Sequence, residues 1–136
     1  MNAKFWISIV VMFVMVMASG FIVHGTWLAP AYAKLPNLMR PMQEQEKYLP
    51  YMLLAHFLIA VAFTWIYLRG RETGKPWLGQ GLRYGIAVAL LSSIPFFLIY
   101  HAVMPYPLDL VIRQIVGDTV GLVLMGAVLA FINRTA

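Results

Sequence analysis

Five residues of this chain have the types and the placement to do chemistry: His24, His56, His101, Arg113 and Asp118. Each lies within or at the edge of a long apolar run. An imidazole titrates near neutral pH, so it can exchange a proton or ligate a metal. A charge held within hydrocarbon costs about 2.5–3.5 kcal/mol on insertion scales, so such groups turn towards each other or towards water. Together the five suit a polar pocket open to one face of a membrane, which binds or passes a small solute or ion. In that pocket Asp118 is the deep anionic or proton-accepting group, the histidines are lining or ligands, and Arg113 is an anion partner. Three imidazoles and a carboxylate also make a donor set for zinc or copper. His24 and His101, at matched depth, would suit the axial positions of a haem. No H-x-x-x-H spacing accompanies them, so no metal or haem is expected.

The elements that must hold these residues are apolar spans. Of 136 residues 62% are hydrophobic and 11% charged, against about 25% charged in a soluble domain. There is too little polar side chain to face water all round, so the chain reads as an all-α membrane protein. Roughly 20 apolar residues cross the hydrocarbon as a helix. Four runs qualify: 5–28, 51–68, 82–103 and 108–131. The expected fold is a single domain, a four-transmembrane-helix antiparallel bundle. The first run has a rival reading as a secretory signal peptide, with Ala31-Tyr32-Ala33 as a small-x-small cleavage site. Its length exceeds the usual apolar core of such a peptide, which favours a retained helix.

Local rules fill in the bundle. Pro50 and Pro107 stand where helices two and four begin, a position that tolerates a missing N–H. Pro95 lies inside the third run, where it should kink the helix and free the carbonyl of Leu91, with Ser92 and Ser93 at hand to repair the polarity. Gly81, Gly85, Ala89 and Ser93 recur every four residues and form a stripe of small side chains that permits close helix approach. Gly117 and Gly121 form a matching notch on span four, expected to face that stripe. Asp109 and Arg113 are four apart with the acid first, the favourable order for an intrahelical ion pair. Asp118 lies roughly 14 Å along the same helix, near the midplane, and His56 roughly 8 Å inside the start of span two.

Lys4, Arg69, Arg71, Lys75, Arg83 and Arg134 gather at one side if both termini share it. Basic residues favour the cytoplasmic side, so both termini are expected there, and the three histidines in the outer half of the membrane. With no Cys, thiolate chemistry, disulfides and Cys-ligated metals are excluded. No G-x-S-x-G, H-E-x-x-H or phosphate loop points to an enzyme.

The segments His24-Gly-Thr-Trp-Leu-Ala-Pro, Tyr48-Leu-Pro-Tyr-Met-Leu-Leu-Ala-His56 and Leu82-Arg-Tyr-Gly-Ile-Ala resemble short four-helix inner-membrane proteins of bacteria, a family of uncharacterised activity. The resemblance covers most of the chain. It implies four spans and a bacterial inner membrane, and it carries no ligand or site residue. The expected partners are the lipid bilayer and a further copy or a larger membrane complex, not nucleic acid. The bland alternative is an accessory subunit whose polar residues only pack the helices.

Overall fold

A computed structural model describes residues 3–134. Four helical runs long and apolar enough to cross a membrane make up the chain: Ala3–Trp27, Gln43–Gly70, Trp77–Val103 and Leu108–Ile132. They form an all-α bundle with no strand among the described residues. Helices are the expected answer in hydrocarbon, because each closes its own backbone hydrogen bonds.

The first run is α1 (Ala3–Gly20), which passes into a π-helical turn, Phe21–Trp27. A short α2 (Ala29–Tyr32) follows, with Pro30 in its first turn. The connection ends in α3 (Met42–Gln45) and a 3₁₀ turn, Glu46–Tyr48, which lead without a break into α4 (Leu49–Gly70). The second helical run therefore starts earlier than its apolar pattern suggests, as the helix extends back through the polar residues from Gln43 to Lys47. Pro50 occupies the first turn of α4 as expected.

The third run is two helices, α5 (Trp77–Leu91) and α6 (Ser93–Val103), broken at Ser92 with φ −117° and ψ −90°. This is the kink that Pro95 imposes. The Ser92 hydroxyl donates to Val88 O at 2.7 Å, a carbonyl that already accepts from Ser92 N–H, and so is not turned to the Leu91 carbonyl. The Ser93 hydroxyl is buried and makes no bond among the described residues, so neither serine makes the expected repair. The last helix, α7 (Leu108–Ile132), starts after Pro107.

Helix α7 is the centre of the bundle. Ile9 and Met12 of α1, Ala60, Phe63 and Tyr67 of α4, and Met125, Leu129 and Ala130 of α7 form the main core. Tyr84 of α5 closes over it and donates to Phe63 O at 2.7 Å. At the other end Val23, Leu28 and Leu110 form a second cluster, flanked by Tyr32, Leu35 and Tyr106. The outside carries a band of exposed apolar side chains, including Phe21, Leu54, Leu91, Val103 and Leu124. Such a surface suits lipid and would aggregate in water.

The closest helix approach is α5 against α7, as expected of spans three and four, but through other residues. A Cβ on Gly81 would collide with the Gly126 carbonyl, and one on Gly85 would lie 2.5 Å from both Leu122 O and Val123 Cα. Gly81, Gly85 and Ala89 are buried in that seam. Gly117 and Gly121 do not face it. They receive α1: a Cβ on Gly117 would lie 2.7 Å from Val23 Cγ1, and one on Gly121 would strike the Ser19 hydroxyl. The expected pairing of the notch with the stripe is therefore corrected. A glycine notch reports that something comes close, and here the neighbour is the first helix.

Candidate functional site

That second glycine contact builds the site. Ser19, Val23 and Trp27 of the first span rest on Gly121 and Gly117, so the two backbones approach beside Asp118. His24 lies in the π-turn, whose wide spacing is closed by Leu28 N–H donating to Val23 O at 2.9 Å, five residues back. One extra residue per turn rotates the chain beyond it by about 100° relative to an unbroken α-helix. The turn thus sets which face His24 occupies and directs α2 back over it.

Four side chains then join in a line. His24 Nε2 lies 2.9 Å from Asp118 Oδ1, and His24 Nδ1 2.6 Å from the Tyr32 hydroxyl. Gln114 Nε2 donates to the same hydroxyl at 3.0 Å. An ionised carboxylate only accepts, so Nε2 carries the hydrogen towards Asp118. Nδ1 then accepts from Tyr32, whose oxygen accepts from Gln114. Each of the three donors has one acceptor, and all three bonds point the same way along the line. If a proton arrives on Asp118 the order reverses: the acid donates to Nε2, Nδ1–H donates to the phenol oxygen, and the Gln114 amide must turn its Oε1 towards Tyr32 to accept the phenol hydrogen. The line therefore has two satisfied states that differ in where a proton sits.

Burial is uneven along it. Gln114 is 5% exposed, while the His24 and Asp118 side chains are 33% and 25% exposed. The amide end is sealed, and the imidazole–carboxylate end is open to whatever surrounds the bundle there. The Tyr32 ring lies stacked on the imidazole at 6.0 Å, and Phe97 of α6 closes another side at 6.2 Å. Burial raises the Tyr32 phenol above its ordinary value of 10.0, opposed by the Gln114 hydrogen bond and reinforced by the Asp118 charge and by Tyr106. The hydroxyl therefore keeps its proton at neutral pH and remains a donor.

The other expected members stand apart. His56 uses Nδ1 to donate to Met52 O of its own helix at 2.7 Å. Its Nε2 faces α1 at Gly20, 3.6 Å from where a Cβ would be, one helical turn from His24. His101 is exposed and donates from Nδ1 to Tyr106 O at 2.8 Å, bracing the turn between α6 and α7. Arg113 and Asp109 form the expected ion pair at 3.6 Å, with side chains 53% and 68% exposed. Of five residues expected to line one pocket, two bond each other, one lies near, and His101 and Arg113 lie outside. Among the described residues no group of three or more His, Asp or Glu is placed to hold a metal ion. The three imidazoles are thus spread over the bundle, with only His24 on Asp118.

Two members of the line, Tyr32 and Gln114, are absent from the expected site. Gln114 had a signal: it lies four residues before Asp118, hence on the same helix face. Tyr32 had none, since its position depends on the π-turn and on α2 folding back. Comparison with protein-family models, with curated proteins and with solved structures gives no significant match, so the functional reading rests on this geometry.

Proposed function

We propose that this is an integral inner-membrane protein of bacterial type, with both termini cytoplasmic, which binds or passes a small polar solute or ion in its outer half and exchanges a proton at the His24–Asp118 pair. The single observation that supports the reading is the line Gln114–Tyr32–His24–Asp118, which has two hydrogen-bonded states one proton apart. Asp118 is the group that takes up the proton, His24 the imidazole that answers by changing tautomer, and Tyr32 and Gln114 the pair that fix the ring. The open carboxylate end is where a solute would arrive. Partial exposure of an imidazole and a carboxylate at that depth calls for water or a further copy to cover them. The basic residues at the end shared by the termini support the orientation.

The test is proton uptake. Purified protein in vesicles containing a pH-sensitive dye is given an acid step outside and a potassium-diffusion potential. Uptake is expected for the wild type and lost in Asp118→Asn and His24→Gln, with helix content unchanged. Equal uptake in all three overturns the proposal. A second reading has its own support: the line satisfies itself with no ligand present, as a purely structural network in an accessory subunit would. In that case the same variants lower thermal stability and leave uptake alone.

A further inference from the structure

A second polar region lies at the opposite end of the bundle and is independent of the proton line. The loop between α4 and α5 surrounds a hollow of about 530 Å³ lined by Arg71, Lys75, Gln80, Asn133 and Arg134 over a floor of Tyr67 and Leu68. A smaller hollow of about 240 Å³ adjoins it, sharing Arg71 and Gln80 and adding Arg83 between Ile66 and Tyr84. Basic residues at a span end are explained by orientation alone, but orientation needs only charge. Here the charges are held in a built frame.

The frame starts at Asn133, buried at 6% exposure. Its amide donates to Ser8 Oγ at 2.8 Å and to Leu129 O at 3.0 Å, tying the two ends of the chain together. Its carbonyl accepts from Arg71 Nη1. Arg71 thereby links α4 to α1 and α7, with one of the five guanidinium N–H groups engaged in that bond. The loop is strapped to α5 by Gln80, whose Oε1 accepts from Glu72 N–H at 2.6 Å and whose Nε2 donates to the carbonyls of Glu72 and Lys75, each at 3.1 Å. Arg134 is fixed over the Phe131 ring at 3.9 Å. Glu72 pairs with Lys75 at 2.5 Å, and that ammonium holds the Glu72 carboxyl below its ordinary range. Among the described residues one carboxylate and three cations line the hollow, an excess of positive charge around a cavity of ligand size.

We propose that this hollow binds a phosphate-bearing anion, with Arg71, Lys75 and Arg134 as its cationic partners. Arginine's planar fork matches phosphate oxygens, and a tetrahedral group with several oxygens can answer three cations at once where a single carboxylate cannot. A phospholipid head group is the favoured source. Exposed Ile66 lines the adjoining hollow and exposed Phe131 lies under Arg134, and acyl chains would lie against these while the phosphate sits among the cations. Basic pockets between spanning helices are known binding places for anionic head groups. A soluble phosphate shares the chemistry but needs no apolar rim.

The experiment measures thermal unfolding of the full chain in neutral detergent micelles during titration at constant ionic strength. The probes are phosphatidylglycerol, phosphatidylcholine and inorganic phosphate. Phosphatidylglycerol is expected to raise the unfolding temperature saturably, as a ligand of the native state must. Lys75→Gln with Arg134→Gln is expected to weaken its apparent affinity about ten-fold or more, each charge-assisted bond being worth that order. Arg69→Gln serves as control, since Arg69 lies outside the hollow, over the Trp65 ring. It should change affinity less than two-fold, by about the weight of one exposed charge. Saturable stabilisation by inorganic phosphate, weakened by the double variant, upholds the phosphate site and assigns it to a soluble ligand. Equal response to phosphatidylglycerol and phosphatidylcholine, no effect of the double variant, or an equal loss in Arg69→Gln overturns the proposal.

Discussion

Replacing Tyr32 by Phe is the sharpest probe of the line at His24. It removes one oxygen and leaves the ring that stacks on the imidazole. That oxygen makes two bonds, to His24 Nδ1 at 2.6 Å and from Gln114 Nε2 at 3.0 Å. Side-chain hydrogen bonds between membrane helices average about 0.6 kcal/mol and reach about 1.7, so two bonds amount to about 1.2 kcal/mol at the mean. The loss should exceed the mean, because Gln114 is 5% exposed and its amide is stranded without water. A buried polar group left without a partner costs about 1–3 kcal/mol. The expected destabilisation of Tyr32→Phe is therefore about 1–3 kcal/mol, read from reversible unfolding in mixed micelles followed by circular dichroism. The cause can be separated from a packing effect by adding Gln114→Met, an apolar side chain of similar length. With the amide gone, the double variant should recover part of the loss, so the two changes are not additive. A Tyr32→Phe chain as stable as the wild type, or strict additivity with Gln114→Met, would refute the line as a coupled unit.

Other outcomes follow from the same structure. Gly85→Ala places a Cβ 2.5 Å from Leu122 O and Val123 Cα, and backbone cannot give way as a flexible side chain can. Overpacking costs about 1–3 kcal/mol, against about 1 kcal/mol gained in helix propensity, so unfolding in micelles should show a net loss. Gly79→Ala in the same helix meets nothing within 4 Å and should be neutral or stabilising by up to about 1 kcal/mol. The phenol of Tyr32 is raised above 10.0 mainly by burial, so the native state holds that proton where the unfolded chain has lost it. Its contribution to stability is complete below the ordinary value and is lost as pH rises through the native one. Tyrosinate absorbance in the wild type minus Tyr32→Phe should show this residue ionising late.

The parts legible in the sequence are those that depend on local spacing. Four apolar runs, Pro50 and Pro107 at helix starts, the break ahead of Pro95 and the Asp109–Arg113 pair all follow from a few neighbouring residues. Position along a helix axis is equally legible, because it needs only a count from the helix end. The angle around the bundle axis is not. His24, His101 and Arg113 lie towards the same end, yet His24 turns inward while the other two stay exposed. Depth is one coordinate, and a pocket needs two more. The π-turn adds to the difficulty: it shifts the helix register from Phe21 onward, so an even 3.6-residue count misplaces His24 and gives no hint of Tyr32.

The two glycine seams explain why the polar line can exist where it does. A carboxylate on a lipid-facing helix would have nothing to bond, but α7 lies between α5 on one side and α1 on another. Gly126 opens the first side to Gly81, and Gly117 and Gly121 open the second to Val23 and Ser19. Asp118 follows Gly117 directly and so lies at the edge of the second seam, within reach of the imidazole from the π-turn after α1 and still partly exposed. The small residues therefore act on chemistry through distance. They contribute no functional atom, but by removing side chains from α7 they bring His24 to 2.9 Å from Asp118. His101 and Arg113 stand beside no glycine seam, and each bonds close by in sequence instead, His101 to Tyr106 O and Arg113 to Asp109.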